Sequence, residues 1–291
     1  MTSTTQRVTV PIVRWALPLA ALFLLGPAVG MATAWMRSPD GGSDASPLLC
    51  TEPVLGIASA LLAIVVATSA GIVAGRIVDI RTGSLVAGFT LAWAALRTGE
   101  LGAIVRPYDI ETVFTRLAIE GAIVGVVTAF AAALLLHMSR ESKEQPLRAA
   151  NSPSLRESLR SVSTLFALIV GLLAATAAAW LIARTDAKAQ TIVAGIAAGI
   201  AASAAGKLVA ASMGDDPPLE VFFVSIALAA VISPIVVLVL HGSGAERDLF
   251  ANRLFAPALI LPLDWAAGAF IGVPIGARWV QGSIEQRLLA G

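Results

Sequence analysis

Charge is scarce along this chain. Only 13% of its residues are Lys, Arg, Asp or Glu, about half the share found in a soluble globular domain. Aromatic side chains are sparse too, at 6%. Cys50 is the single cysteine, which excludes an internal disulfide and a cysteine-cluster metal site. Two histidines, His137 and His241, are too few for most histidine-based metal centres. Twenty basic residues against nineteen acidic ones leave a net charge of +1, which offers nucleic acid no basic face. No segment alternates with period two, so a β-barrel is excluded.

Enzyme motifs are missing as well. No HExxH or EF-hand pattern occurs, and Gly242-Ser243-Gly244 lacks the spacing of a nucleophile elbow. Gly206-Lys207 echoes a phosphate loop, but Ala201 stands where its first glycine belongs and Leu208 replaces its Ser/Thr. Nothing implies a cofactor.

What the chain does have is apolar length. Its residues are 57% hydrophobic, with a mean hydropathy of +0.84. A hydrocarbon core needs about 20 apolar residues as helix. Eight segments qualify, near 15–36, 54–75, 84–105, 117–137, 162–183, 191–212, 219–241 and 254–280. The third contains Arg97 and Glu100; a stop near Leu96 would make it re-entrant. The eighth is interrupted by Pro257, Pro262 and Pro274, each of which removes a backbone donor. The fold class expected is all-α, a polytopic transmembrane bundle forming one integral membrane domain over 1–291.

Orientation follows from loop Lys and Arg. With the N-terminus cytoplasmic, eleven basic residues fall inside and seven outside, mostly because of the linker 142–161. Both termini are therefore expected in the cytoplasm of an inner-membrane protein. Ala32-Thr33-Ala34 could serve as a signal-peptidase site. An uncleaved first helix is the favoured reading, because Trp15 and Trp35 stand where two aromatic belts would place them. A short amphipathic helix is expected in the linker at Ser154–Arg160.

A shift of 107 positions lays spans two and three on spans five and six. Asp79 falls on Asp186, Arg81 on Lys188, and Val86-Ala87-Gly88 on Val193-Ala194-Gly195, among about 13 identities between positions 60 and 103. The units would run over 54–141 and 162–243, flanked by 1–53 and by a terminal broken span in 244–291. Three spans per unit is an odd number, so the second unit would be inverted, a plan that recurs in secondary transporters.

Intramembrane ionisable residues cost several kcal/mol and need partners. The candidates are Arg97, Glu100, Glu120, Lys207 and Asp264. Counting rise along continuous helices places Arg97 and Asp264 at similar depth. Trp93 lies one turn before Arg97, and Trp265 adjoins Asp264. A midplane cluster of Trp93, Arg97, Asp264 and Trp265 is therefore expected, holding a solute or ion, or else acting as a structural ion pair. Glu100 and Lys207 are expected to snorkel to opposite surfaces, and Glu120 to pair with Arg116 one turn away. Gly71-x-x-x-Gly75, Gly121-x-x-x-Gly125, Gly195-x-x-x-Gly199 and the ladder Gly268, Gly272, Gly276 should bring helices close. The sixth span is expected to be the most enclosed.

These features point to a permease or small-solute transporter. A non-catalytic subunit or scaffold of a larger membrane complex is the competing class, and an intramembrane enzyme comes third. The expected partners are the lipid bilayer and a small solute or ion, with other copies or other subunits on the competing reading.

Overall fold

The computed structural model describes residues 4–140 and 161–290, so the expected helix at Ser154–Arg160 lies outside the described residues. The described chain is helical throughout, without strands. Helix α1 (Thr4–Ala20) passes through a π-turn at Ala21–Leu25 into α2 (Gly26–Ala32). There follow α3 (Pro53–Ile77), α4 (Ile80–Arg97), the short α5 (Leu101–Val105) and the long α6 (Ile110–Arg140). The second half holds α7 (Val162–Ile182), α8 (Lys188–Ser212), α9 (Glu220–Leu240), the single-turn-and-a-half α10 (Ala245–Phe250) and α11 (Pro262–Ala290).

Among the described residues, six helices are long and apolar enough to cross a membrane: Ile12–Met31, Pro53–Ile77, Ile110–Ser139, Val162–Ile182, Lys188–Ser212 and Glu220–Leu240. Their outward side chains, such as Val126, Phe130, Leu173 and Val239, are large, apolar and exposed. In water such faces would aggregate; in lipid they are at home. The chain is a multi-pass helical membrane protein.

The other two expected spans, in α4 and α11, fall outside this set, and packing explains why. Every residue from 256 to 274 is buried. Helix α11 runs through the middle of the bundle, packed chiefly on α8 and α4 and touching α6 and α9. A helix walled in by other helices needs no apolar face toward lipid. Its composition can drift to Gly and Ala, which a hydropathy average reads as weak. The sixth span, α8, is less enclosed than expected: Val193 and Leu208 on one face are more than half exposed.

Glycine sets the close approach. A Cβ added at Gly268 would sit 2.2 Å from the backbone of Gly195, and one at Gly272 would sit 2.2 Å from the carbonyl of Ile196. Gly276 meets Ile200 in the same way. The α8–α11 contact is thus backbone on backbone, and the expected ladders are its two edges. Gly71 and Gly75 face Gly83 of α4, and Gly121 and Gly125 face Ala230 and Ala227 of α9.

These contacts also give directions. Along α11, Asp264, Gly268 and Gly276 meet Gly195, Gly199 and Ser203 in ascending order, so α8 runs parallel to it. Helix α4 runs the other way: Ser84 donates to the Phe270 carbonyl at 2.6 Å, and Arg81 reaches Gln281. Helices α4 and α8 are therefore antiparallel to each other, on either side of α11. Both ends of the described chain, with the ends of the two segments that flank 141–160, lie at one end of the bundle. The connections 33–52, 98–109, 183–187 and 241–261 gather at the other, called here the loop end.

Candidate functional site: a buried charge cluster at the loop end

Asp264 is the third residue of α11 and is completely buried. Pro262 opens the helix because its missing N–H would be unpaired there in any case. One turn in, the Asp264 carboxylate reaches back and accepts from the Leu261 N–H at 3.2 Å. This is half of a capping box, and the positive end of the helix dipole favours the negative charge. The second partner is Lys188, whose Nζ lies 3.1 and 3.0 Å from the two carboxylate oxygens. The Lys188 side chain is only 12% exposed.

Lys188 is the first residue of α8, where a cation opposes the helix dipole. That local conflict is offset by the carboxylate across the gap. The third member is Glu120 of α6, also completely buried, whose charge interacts with those of both Lys188 and Asp264. Its Oε2 accepts from the Ser46 hydroxyl at 2.8 Å and the Leu48 N–H at 2.9 Å. Its Oε1 has no partner. The cluster thus holds one cation and two buried carboxyl groups, and Lys188 is in ion-pair contact with only one of them, Asp264.

The loop 33–52 closes over Glu120. Arg116, one turn earlier on α6, donates to the Leu48 carbonyl at 3.3 Å and lies over the Tyr108 ring. The expected Glu120–Arg116 pair is therefore replaced by a clamp, with Glu120 on the N–H of Leu48 and Arg116 on its C=O. Ala45, Ser46, Leu49 and Cys50 are buried beneath, and the Gly99 N–H donates to Ala45.

The expected quartet does not assemble. Helix α4 ends at Arg97, and Thr98 is extended, so the depth counted through an unbroken helix does not apply. Arg97 is exposed, beside Gly30 of α2, while Asp264 has Lys188. Trp93 turns to the first helix, where its indole N–H donates to the Leu22 carbonyl at 2.6 Å. That carbonyl is free for a local reason. The π-turn sends the Gly26 N–H to Ala21, and Pro27, the next donor in line, has none. Trp265 stays beside Asp264 but points away into a void of ≈ 10 Å³ between α6, α9 and α11, which Thr128 also lines. The indole N–H of Trp265 and the hydroxyl of Thr128 are unpartnered.

The remaining candidates lie elsewhere. Glu100 is exposed at the start of α5. Lys207, nearly buried at the far end of α8, reaches the exposed Asp216 at 2.5 Å. Sequence reading missed Lys188 as a site residue because hydropathy began the sixth span at 191, three residues late. Its signal was a basic residue opening an apolar helix against the dipole.

Above the cluster is a cleft of ≈ 780 Å³, walled by 183–186 and by 254–259, the segments that lead into Lys188 and Asp264. Arg106, Arg184 and Arg253 line it with Glu100 and Asp186, and Trp180 and Phe250 give it an apolar side. Asp186 accepts from the Gly102 N–H at 2.6 Å, pinning α5 to the start of α8. No family model matches this chain, and no curated protein or solved structure is significantly similar to it. Function must be argued from the site itself.

Proposed function

We propose that this protein is a small-solute or ion transporter of the cytoplasmic membrane, with Lys188, Asp264 and Glu120 as its polar site. The observation that carries the reading is a second buried carboxyl group, Glu120, that has no ion-pair partner among the described residues. Lys188 pairs with Asp264, whereas Glu120 accepts only from Ser46 and Leu48 and its Oε1 lacks a partner. Burying an unpaired charge costs several kcal/mol. A monovalent cation, H⁺ or Na⁺, bound beside Glu120 would remove that cost, and binding and release of such an ion is what coupled transport requires.

An inverted repeat supports the same reading. The sequence-equivalent helices α4 and α8 run in opposite directions. Their equivalent basic residues, Arg81 and Lys188, both contact α11, at Gln281 and Asp264. Those two positions are about 25 Å apart along the helix. In each unit the first helix packs mainly on the second and less on the third. On this view α4 and α11 are enclosed spans that bring the total to eight, and the halves meet at α6 and α9. The termini end is cytoplasmic by the distribution of basic loops. The four-residue cluster expected from sequence is superseded as a unit, and of its members only Asp264 stays in the proposed site.

The test is uptake by the full chain in proteoliposomes, driven in turn by a proton and a sodium gradient across a panel of small solutes. Asp264→Asn should be inserted and monodisperse, because the amide keeps the side chain's size and an oxygen that can accept from the Leu261 N–H, and should transport nothing. Normal flux in this variant would refute the site.

A scaffold or subunit role is the second reading. It is favoured by the complete burial of Asp264 and Glu120, which leaves the cluster closed to the cleft above it. On that reading no gradient drives flux, and the cluster is structural glue.

A further inference from the structure

The cleft of ≈ 780 Å³ over the charge cluster is lined by described residues throughout, at the end of the bundle away from 141–160 and from both ends of the described chain. Five charged side chains line it: Glu100, Arg106, Arg184, Asp186 and Arg253. Three of these are engaged. Arg253 pairs with Asp248 at 3.3 Å. The Asp186 carboxylate accepts from the Gly102 N–H at 2.6 Å, and Arg106 lies within electrostatic reach of Asp40 on the loop 33–52. Arg184 and Glu100 are left over. Both are exposed, and neither pairs with the other or with any other described residue. Trp180 and Phe250 form the apolar side of the cleft, 50% and 53% exposed.

One unpaired group of each sign in a single cleft suits a ligand that carries both complements. A guanidinium fork binds a carboxylate bidentately, and a carboxylate accepts from an ammonium group. A ligand bearing an anion alone would meet Glu100 as well as Arg184 and be repelled by it. The aromatic wall supplies the apolar contact on which small-molecule sites rely, and the volume lies within their usual range of about 300–1,000 Å³. We infer that this cleft binds a small zwitterion with an apolar body, the class of amino acids with apolar side chains. Its carboxylate lies on Arg184, its ammonium group on Glu100 and its apolar body against Trp180 and Phe250. The segments 183–186 and 254–259 lead from the cleft into Lys188 and Asp264, so the occupied cleft is the first station of the carried solute. That role rests on the transport reading, whereas binding does not. A phosphatidylethanolamine headgroup carries the same two charges, and competition separates the two sources.

The experiment is equilibrium binding of tritiated L-phenylalanine to the full chain in detergent, where no gradient or flux is involved. Binding should saturate at one molecule per chain. Arg184→Gln and Glu100→Gln, both at exposed positions, should each weaken it about five-fold. Arg37→Gln, at the loop end but outside the cleft, should leave it unchanged. 3-Phenylpropionate and phenethylamine, which each lack one of the two charges, should compete at least about five-fold less well than L-phenylalanine itself. Absence of saturable binding would overturn the assignment, as would an unaltered affinity in either variant or equal competition by 3-phenylpropionate. Displacement of the amino acid by micellar phosphatidylethanolamine would overturn it too, by showing a headgroup site. Saturable binding without uptake in proteoliposomes would support this site and count against transport. Uptake without such binding would overturn this site alone.

Discussion

Lys188 is held by geometry rather than by hydropathy, and its energetics should show it. The ammonium group is almost desolvated and lies against both oxygens of the Asp264 carboxylate. Removing one partner of a buried pair costs about 3–5 kcal/mol, whereas replacing both by apolar groups of similar size is often neutral. Lys188→Met should therefore destabilise the protein by about that amount, and Lys188→Met/Asp264→Leu should recover most of it. Unfolding by denaturant in mild detergent measures both; a loss under about 1 kcal/mol for the single variant would mean that the pair is solvated. Single residues were also where sequence reading was weakest. Asp264 and Glu120 were legible as carboxylates inside apolar runs. Their partners were not, because a partner is chosen by where helices end. Arg97 lost its expected place to a helix stop at Thr98, and Lys188 gained one from a helix that starts early.

Loops and helices act here as single pieces. The loop 33–52 is fastened through Leu48 by Glu120 and Arg116, and Cys50 is buried under it, its Sγ donating to the Pro47 carbonyl at 3.3 Å. Burial pushes the Cys50 thiol above its ordinary range, and the Glu120 charge adds to this. A thiol held protonated and covered reacts slowly. Hydrogen bonds to a charged group are worth about 1.5–3 kcal/mol, so Glu120→Ala should accelerate N-ethylmaleimide labelling of Cys50 at pH 8 about ten-fold or more. An unchanged rate would show that the loop is fastened elsewhere. Cys50 is the only cysteine in the chain, so the readout has a single source.

At the same scale, sequence periodicity served well for glycine. Every ladder singled out by spacing lies at a helix crossing, because the requirement is local: a residue without Cβ every fourth position on one face. Enclosure was harder to read. Helix α11 carries Asp264, Gly268, Gly272 and Gly276 and looks like a poor span in isolation. It is the helix surrounded on all sides, and α8 is not. Hydropathy reports contact with lipid, and a helix lined by its own protein gives no such signal.

Across the whole molecule, a bundle with glycine-paved crossings, two antiparallel helices, α4 and α8, about a central one, and a polar cluster under an arginine-lined cleft forms one consistent arrangement. The membrane fold was legible from composition alone, since no soluble domain tolerates such long apolar runs. The proposed function was less so, because it is argued from an interhelical ion pair that spacing along the chain cannot reveal. The doubly neutral variant separates function from glue. Lys188→Met/Asp264→Leu is expected to fold, to insert and to remain monodisperse. In proteoliposomes, under the gradient that drives the native protein, it should carry no flux. Transport at the native rate by this folded variant would contradict the account.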